Sequence, residues 1–175
     1  MTVAPVLSER LELASMSPAY LAALLRGDLR AAREELDVEL PLGFAEDGAP
    51  VFRIRLGQLR ADPAVQPWLV RLMIARWGPR VPIGHIGFHG PPDAAGRLEV
   101  GYTVLPAHRR QGFATEACRA LFAWARAEHG ITRFRASVSP TNQPSLAVVR
   151  KLGFRRTGVQ WDEVDGEELV FERDD

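Results

Sequence analysis

The chain has 175 residues, a length suited to one domain with a single sizeable core, and one domain over 1–175 is expected. Its 22 Lys and Arg balance 22 Asp and Glu, so no global field draws it to nucleic acid or to an anionic membrane, and any anion must be held locally. Charges interrupt every apolar run before the roughly eighteen residues of a membrane span, no basic-then-apolar leader opens the chain, and the lone Cys118 has no disulfide partner; a soluble cytoplasmic protein is expected.

Residues 8–16, SERLELASM, alternate apolar and polar residues as a half-buried strand does, and Ser17 and Pro18 then offer an N-cap and a first-turn proline to a helix over 17–28. The stretch 29–50 begins with helical composition, but Pro41, Gly43, Gly48 and Pro50 break its second half into a loop from 37 to 50, a place to grip a substrate. Length and the Leu56, Leu59 spacing predict a helix over 51–62. Residues 68–77 and 81–90 read as antiparallel strands joined at Gly78-Pro79, and 96–106 as a third. A helix follows from about Gly112 to Glu128, with Gly130 as its stop signal. After it come a strand over 132–139, a short helix starting near Pro144, and a strand over 154–164 that turns at Asp165-Gly166 into a last strand over 167–174. The sum is an α/β (α+β) chain: a mixed sheet flanked by helices, without internal repeats.

RRQGFATEA, residues 109–117, lies between a strand and a helix. The first amides of that helix lack intrahelical acceptors and point outward with the positive end of the helix dipole, which makes an anion seat. Gly112 and Ala114 let a phosphate approach the backbone, Arg109 and Arg110 add charge, and Thr115 adds a hydroxyl. A pyrophosphate fits. No Gly-Lys-Ser/Thr ending marks a P-loop and no three-glycine fingerprint marks a dinucleotide site; the competing reading is a plain helix start with two solvated arginines.

LEVGYTVLPAHRRQGFATEA followed by SPTNQPSLAVVRKLGF closely resembles the GNAT superfamily of acetyl-CoA-dependent N-acetyltransferases, in order and in spacing, from Leu98 to Phe154. The family's pyrophosphate motif corresponds to Arg109, Gly112 and Ala114, within a cofactor loop that also takes in Arg110, Gln111, Phe113 and Thr115; its Asn and Lys-Leu-Gly-Phe ending correspond to Asn142 and Lys151 to Phe154. ERLELA and the Glu-Val-Gly-Tyr strand look most like the RimJ/RimL branch, the ribosomal-protein N-terminal acetyltransferases. The resemblance implies the GNAT fold, a largely antiparallel twisted sheet of about six to seven strands with helices on both faces. It also implies acetyl-CoA as co-substrate, a splayed strand whose free amides at Val104 and Leu105 hold pantetheine and the thioester oxygen, and a hydroxyl at Ser145 that donates to the coenzyme.

Transfer to an amine requires removal of its proton, since an alkylammonium titrates near 10.4. Glu99 is the candidate base, because alternation places it with Gly101 and Thr103 on one strand face, opposite Leu98, Val100, Tyr102 and Val104. Many relatives carry a tyrosine acid where this chain has Val149. Ser145 is then either the acid or a plain first-turn hydroxyl, and a thiol near 8.5 also leaves unaided.

Other eye-catching residues have plainer readings. His85 and His89 share a strand face without a third ligand, so no metal is expected, although one of them can relay protons. Cys118 reads as a buried small hydrophobe and Trp68, Trp77, Trp124 and Trp161 as core and cleft walls. Asp162, Glu163 and Asp165 read as a solvated turn or as a lure for a cationic amine. Two functions compete: an enzyme acetylating a primary amine, protein N-terminus or small molecule, and an acyl-CoA-binding module that no longer catalyses. The acceptor is expected between the 37–50 loop and the last hairpin, and a homodimer is compatible with the sequence.

Overall fold

The computed structural model describes residues 3–163 and 166–175. Strands β1 (Val6–Leu7) and β2 (Leu11–Ser15) lead into α1 (Pro18–Leu25), where the Ser17 hydroxyl accepts from the Tyr20 amide as the predicted cap. Helix α2 (Leu29–Leu36) follows, capped by Asp28. Helix α3 (Phe44–Ala61) corrects the expected 37–50 loop: it begins at Phe44 and carries Pro50 inside it. Phe44, Gly48, Phe52, Leu56 and Leu59 form one buried stripe at helical spacing straight across the proline, and that burial outweighs one lost backbone hydrogen bond. A Cβ at Gly48 would lie 2.3 Å from the Phe52 ring, so glycine there is the condition for seating that ring.

The remaining elements are β3 (Arg71–Ala75), β4 (Pro82–Phe88), β5 (Arg97–Val104), α4 (Phe113–His129), β6 (Arg133–Val138), α5 (Gln143–Lys151), β7 (Arg155–Asp162) and β8 (Gly166–Asp174). They build an 8-stranded sheet in the order β1-β2-β3-β4-β5-β6-β8-β7, one strand more than expected because of the two-residue β1. Every pairing is antiparallel except β5 with β6. The last hairpin forms as its sequence suggests, with Asp162 opposite Gly166, while Asp165 of the turn lies outside the described residues.

Helices cover both faces. Ala14, Leu72 and Ile74 pack under α1 to α3, while Leu13, Met73, Phe88, Leu98 and Phe134 pack under α4 and α5. On the second face Phe122 stacks on Phe134 with centroids 4.1 Å apart, a buried contact whose loss in Phe122→Ala would cost about 3–5 kcal/mol. The parallel pairing of β5 with β6 covers only Arg97–Glu99 against Arg133–Arg135, beyond which the two strands part and open the sheet.

Candidate active site

The gap after Glu99 runs through the sheet as a cleft of about 380 Å³, lined by Val51 and Arg55 of α3 on one side, Tyr102 and Ser137 in the sheet, and Asn142 and Ser145 of α5 on the other. Register decides which main-chain groups face it. In β5 the odd residues bond to β4: the Leu105 amide donates to the Ile83 carbonyl at 2.9 Å, and the Glu99 carbonyl accepts from His89 at 2.8 Å. Leu105 therefore does not offer the free amide expected of it. The alternation of an antiparallel ladder turns the amides of Tyr102 and Val104 toward the gap instead.

Beyond β5 the chain reaches α4 through Arg110 (φ 63°) and Gly112 (φ 85°), both left-handed. Gly112 caps α4 without any side-chain hydrogen bond, which leaves the amides of Phe113, Ala114 and Thr115 aimed outward, as an anion seat requires. The ring of Phe113 is buried, so that residue has only its amide to give. Arg109 folds back, its Nε donating to the Val104 carbonyl at 2.9 Å, and Gln111 donates to the Ala107 carbonyl at 3.2 Å.

Arg10 of the β1–β2 turn, which the sequence did not single out, clamps this loop. Its Nε reaches Glu116 at 2.6 Å, its Nη atoms donate to the Gln111 carbonyl at 3.2 Å, and its guanidinium lies 4.5 Å over the Phe113 ring. Partial burial raises the Glu116 carboxyl, but hydrogen bonds from Ser8 and Arg10 outweigh that and hold it below its ordinary value.

Glu99 stands one hydrogen bond behind the cleft wall. Ser137 Oγ donates to Glu99 Oε1 at 2.6 Å and accepts from Gln160 Nε2 at 3.0 Å, while Gln160 also donates to Glu168 at 2.8 Å and accepts from Arg135. His89 Nδ1 is 3.8 Å from Glu99 Oε1, and Arg135 Nε 3.6 Å from Oε2. Arg55 donates to the His89 carbonyl at 2.9 Å. Arg55, Gln160 and Glu168 were missed because long-range pairing alone brings them to Glu99.

Of the two histidines His89 lines the cleft beside Glu99, and burial together with the Arg55 cation outweighs Glu99 and lowers its pKa. His85 is sealed against Phe44 and Phe52, and burial, then Arg55, lowers it to about 4. Among the described residues no group of three or more His, Cys, Asp and Glu could hold a metal ion.

Asn142 caps α5 by accepting from the Ser145 amide at 3.2 Å, so the Ser145 hydroxyl is not the cap; it lies against the Tyr102 phenol on the cleft wall. Val149 is buried in the core, and exposed Lys151 sits in the last turn of α5, roughly 13 Å along the helix from Asn142, away from the cleft. Cys118 is fully buried as expected. Trp68 and Trp124 pack together as core, but Trp161 is 78 % exposed and Trp77 53 %, so these two do not fill the interior. The charge of Asp162 acts on His89, so the end of β7 lies near the cleft wall.

Residues 10–155 match the model of the Acetyltransferase (GNAT) domain. An uncharacterized N-acetyltransferase of Bacillus subtilis, YjdG, is 29 % identical over 150 residues, 84 % of this chain and 87 % of that protein. Among solved structures, the ribosomal-protein-S5-alanine acetyltransferase of Vibrio fischeri superposes with a TM-score of 0.65 at 14 % identity, covering 97 % of this chain and 96 % of the other. The microcin C7 self-immunity acetyltransferase MccE, solved with acetyl-CoA and AMP, gives 0.62 at 15 % identity, covering 96 % and 94 %. No helix of the described residues is long and apolar enough to cross a membrane.

Proposed function

The chain belongs to the GNAT acetyltransferase family and is an acetyl-CoA-dependent N-acetyltransferase, and on that premise we propose that, as one domain over 1–175, it moves the acetyl group directly to a primary amine in a ternary complex, with Glu99 as base. The parting of β5 from β6 after Glu99 carries this reading, because it joins a cofactor end and an acceptor end in one cleft. Pyrophosphate sits on the first-turn amides of α4, pantetheine passes between the strands beside Asn142, and the thioester oxygen takes the amides of Tyr102 and Val104. The amine enters between α3 and β8, past Val51, Arg55 and Glu168.

The proton leaves by a short relay. The amine gives it to Ser137 Oγ, which passes its own to Glu99 Oε1, and the freed lone pair attacks the thioester carbon. A protein N-terminus is one fitting acceptor, after the ribosomal-protein acetyltransferase whose fold is shared, and a small amine is the other.

Acetyl-CoA binding by calorimetry, paired with thiol release over peptides with free Ala, Ser and Met N-termini and short diamines, tests the assignment. Glu99→Gln should lose about a hundredfold or more in kcat while acetyl-CoA binds as in the wild type. An unchanged rate removes Glu99 from the mechanism. Binding without thiol release from any amine favours the acyl-CoA-binding module.

A further inference from the structure

Among the described residues that line the cleft Arg55 is the one Lys or Arg, and the mechanism above leaves its charge unused. It stands on α3 four residues after Val51, half-buried, with its guanidinium braced from one side. Nη1 donates to Gln58 Oε1 and to the His89 carbonyl, both at 2.9 Å, and Gln58 donates to the same carbonyl at 2.8 Å. Nε and Nη2, the donors of the opposite edge, make no hydrogen bond among the described residues and are not sealed from solvent. That edge is the fork that takes both oxygens of a carboxylate. Among the described residues no carboxylate fills it: Glu99, whose charge reaches Arg55, is taken by Ser137 and Arg135. Burial outweighs Glu99 and lowers the guanidinium below its ordinary value, as for a cation short of a counterion.

On the strand side of the cleft, Gln160 Nε2 donates to Ser137 Oγ at 3.0 Å and to Glu168 Oε2 at 2.8 Å, so one amide ties the Glu168 carboxylate to the hydroxyl that leads to Glu99. Glu168 forms no ion pair among the described residues. The cleft thus carries a cation on its helix wall and an anion on its strand wall, and the two do not close on each other. We propose that the acceptor is an amine with a carboxylate of its own a few bonds away: the carboxylate seats on the free edge of Arg55, and the ammonium approaches Glu168 beside Ser137. This names the substrate class of the transfer proposed above and rests on it. A free amino acid and a peptide that starts with Asp or Glu share this chemistry. A diamine does not, because its second cation meets Arg55.

Thiol release by the wild type, over free amino acids and the matching amino-acid amides, reads the carboxylate without altering the protein. The acids should exceed their amides about thirtyfold in kcat/KM, mostly through KM, as the loss of a charge-assisted pair implies, and diamines should be slowest. The amine of the amide is the weaker base, so ionisation alone favours the amide and cannot mimic this result. Peptides that start with Asp or Glu, set against Asn or Gln, separate the two sources. Arg55→Gln should bring the acid-to-amide ratio close to one, and Arg55→Lys, which keeps the charge but not the fork, should restore only part of it. Equal rates for acid and amide in both series overturn the proposal. So does an Arg55→Gln variant that is slow on both with the ratio kept, since Arg55 would then only brace His89. If no amine releases thiol, the transfer reading fails, and calorimetry of N-acetyl amino acids and their amides with CoA present decides the seat. Acid binding above amide binding that Arg55→Gln abolishes upholds it, and binding of neither overturns it.

Discussion

At the α4 end the cleft is walled by main chain: two left-handed residues, three uncapped helix amides and the amides of β5 that register turns inward. At the α3 end it is walled by long polar side chains, Arg55, His89 and Glu168, with Glu99 one hydrogen bond behind them. A backbone seat recognises what all its cofactors share, a pyrophosphate and an amide-rich arm, and leaves little for side-chain replacement to change. A wall of charged side chains can be retuned one residue at a time. The two ends should therefore fail separately, the α3 end in turnover and charge, the α4 end in acetyl-CoA affinity.

Glu99→Gln is the largest expected effect, confined to kcat; a parallel loss of acetyl-CoA affinity would break the division. Next comes His85, whose packing against Phe44 and Phe52 makes the α3 end titratable. Its pKa falls from 6.5 to about 4 on folding, so between those values the unfolded chain binds the extra proton. Stability must then drop as pH falls from about 6.5 to about 4 and level off below, on the order of 3 kcal/mol for this residue. Urea midpoints against pH should show that slope, and His85→Leu should flatten it. A slope that survives the substitution assigns the loss to other groups.

The α4 end was readable in advance because its determinant is local, Gly112 before a helix, and Glu99 at the other end followed from strand alternation. What escaped needed partners. The Leu105 amide is seen to be taken only once it is known that β4 bonds the odd residues of β5. The helix across Pro50 was hidden by a local rule, proline as breaker, that a buried stripe from Phe44 to Leu59 overrides. Arg55 and Arg10 carry no signal in their own neighbourhoods, since Arg55 meets Glu99 and Arg10 meets Glu116 across the fold.

Gly112→Val tests the backbone seat itself. At φ 85° a β-branched residue is strained, and its relief would rotate the first-turn amides of α4 out of line. Acetyl-CoA affinity should fall about thirtyfold, or about 2 kcal/mol, with kcat at saturation close to wild type and the circular dichroism spectrum unchanged. A loss below about threefold would place the pyrophosphate elsewhere.

Arg10→Ala gives the smallest expected change and separates two accounts of a side chain at the backbone end. The guanidinium both shapes the loop, through the Gln111 carbonyl, and neutralises Glu116, a carboxylate in the first turn of the helix that is to hold a phosphate. If the backbone already fixes the loop, only the second role matters. The loss in acetyl-CoA affinity should then be about threefold, from a half-exposed charge in water, and Arg10→Ala with Glu116→Gln should restore it. Should the double variant bind no better than Arg10→Ala, or the single one lose as much as Gly112→Val, then Arg10 holds the loop in shape, and the cofactor end depends on a side chain after all.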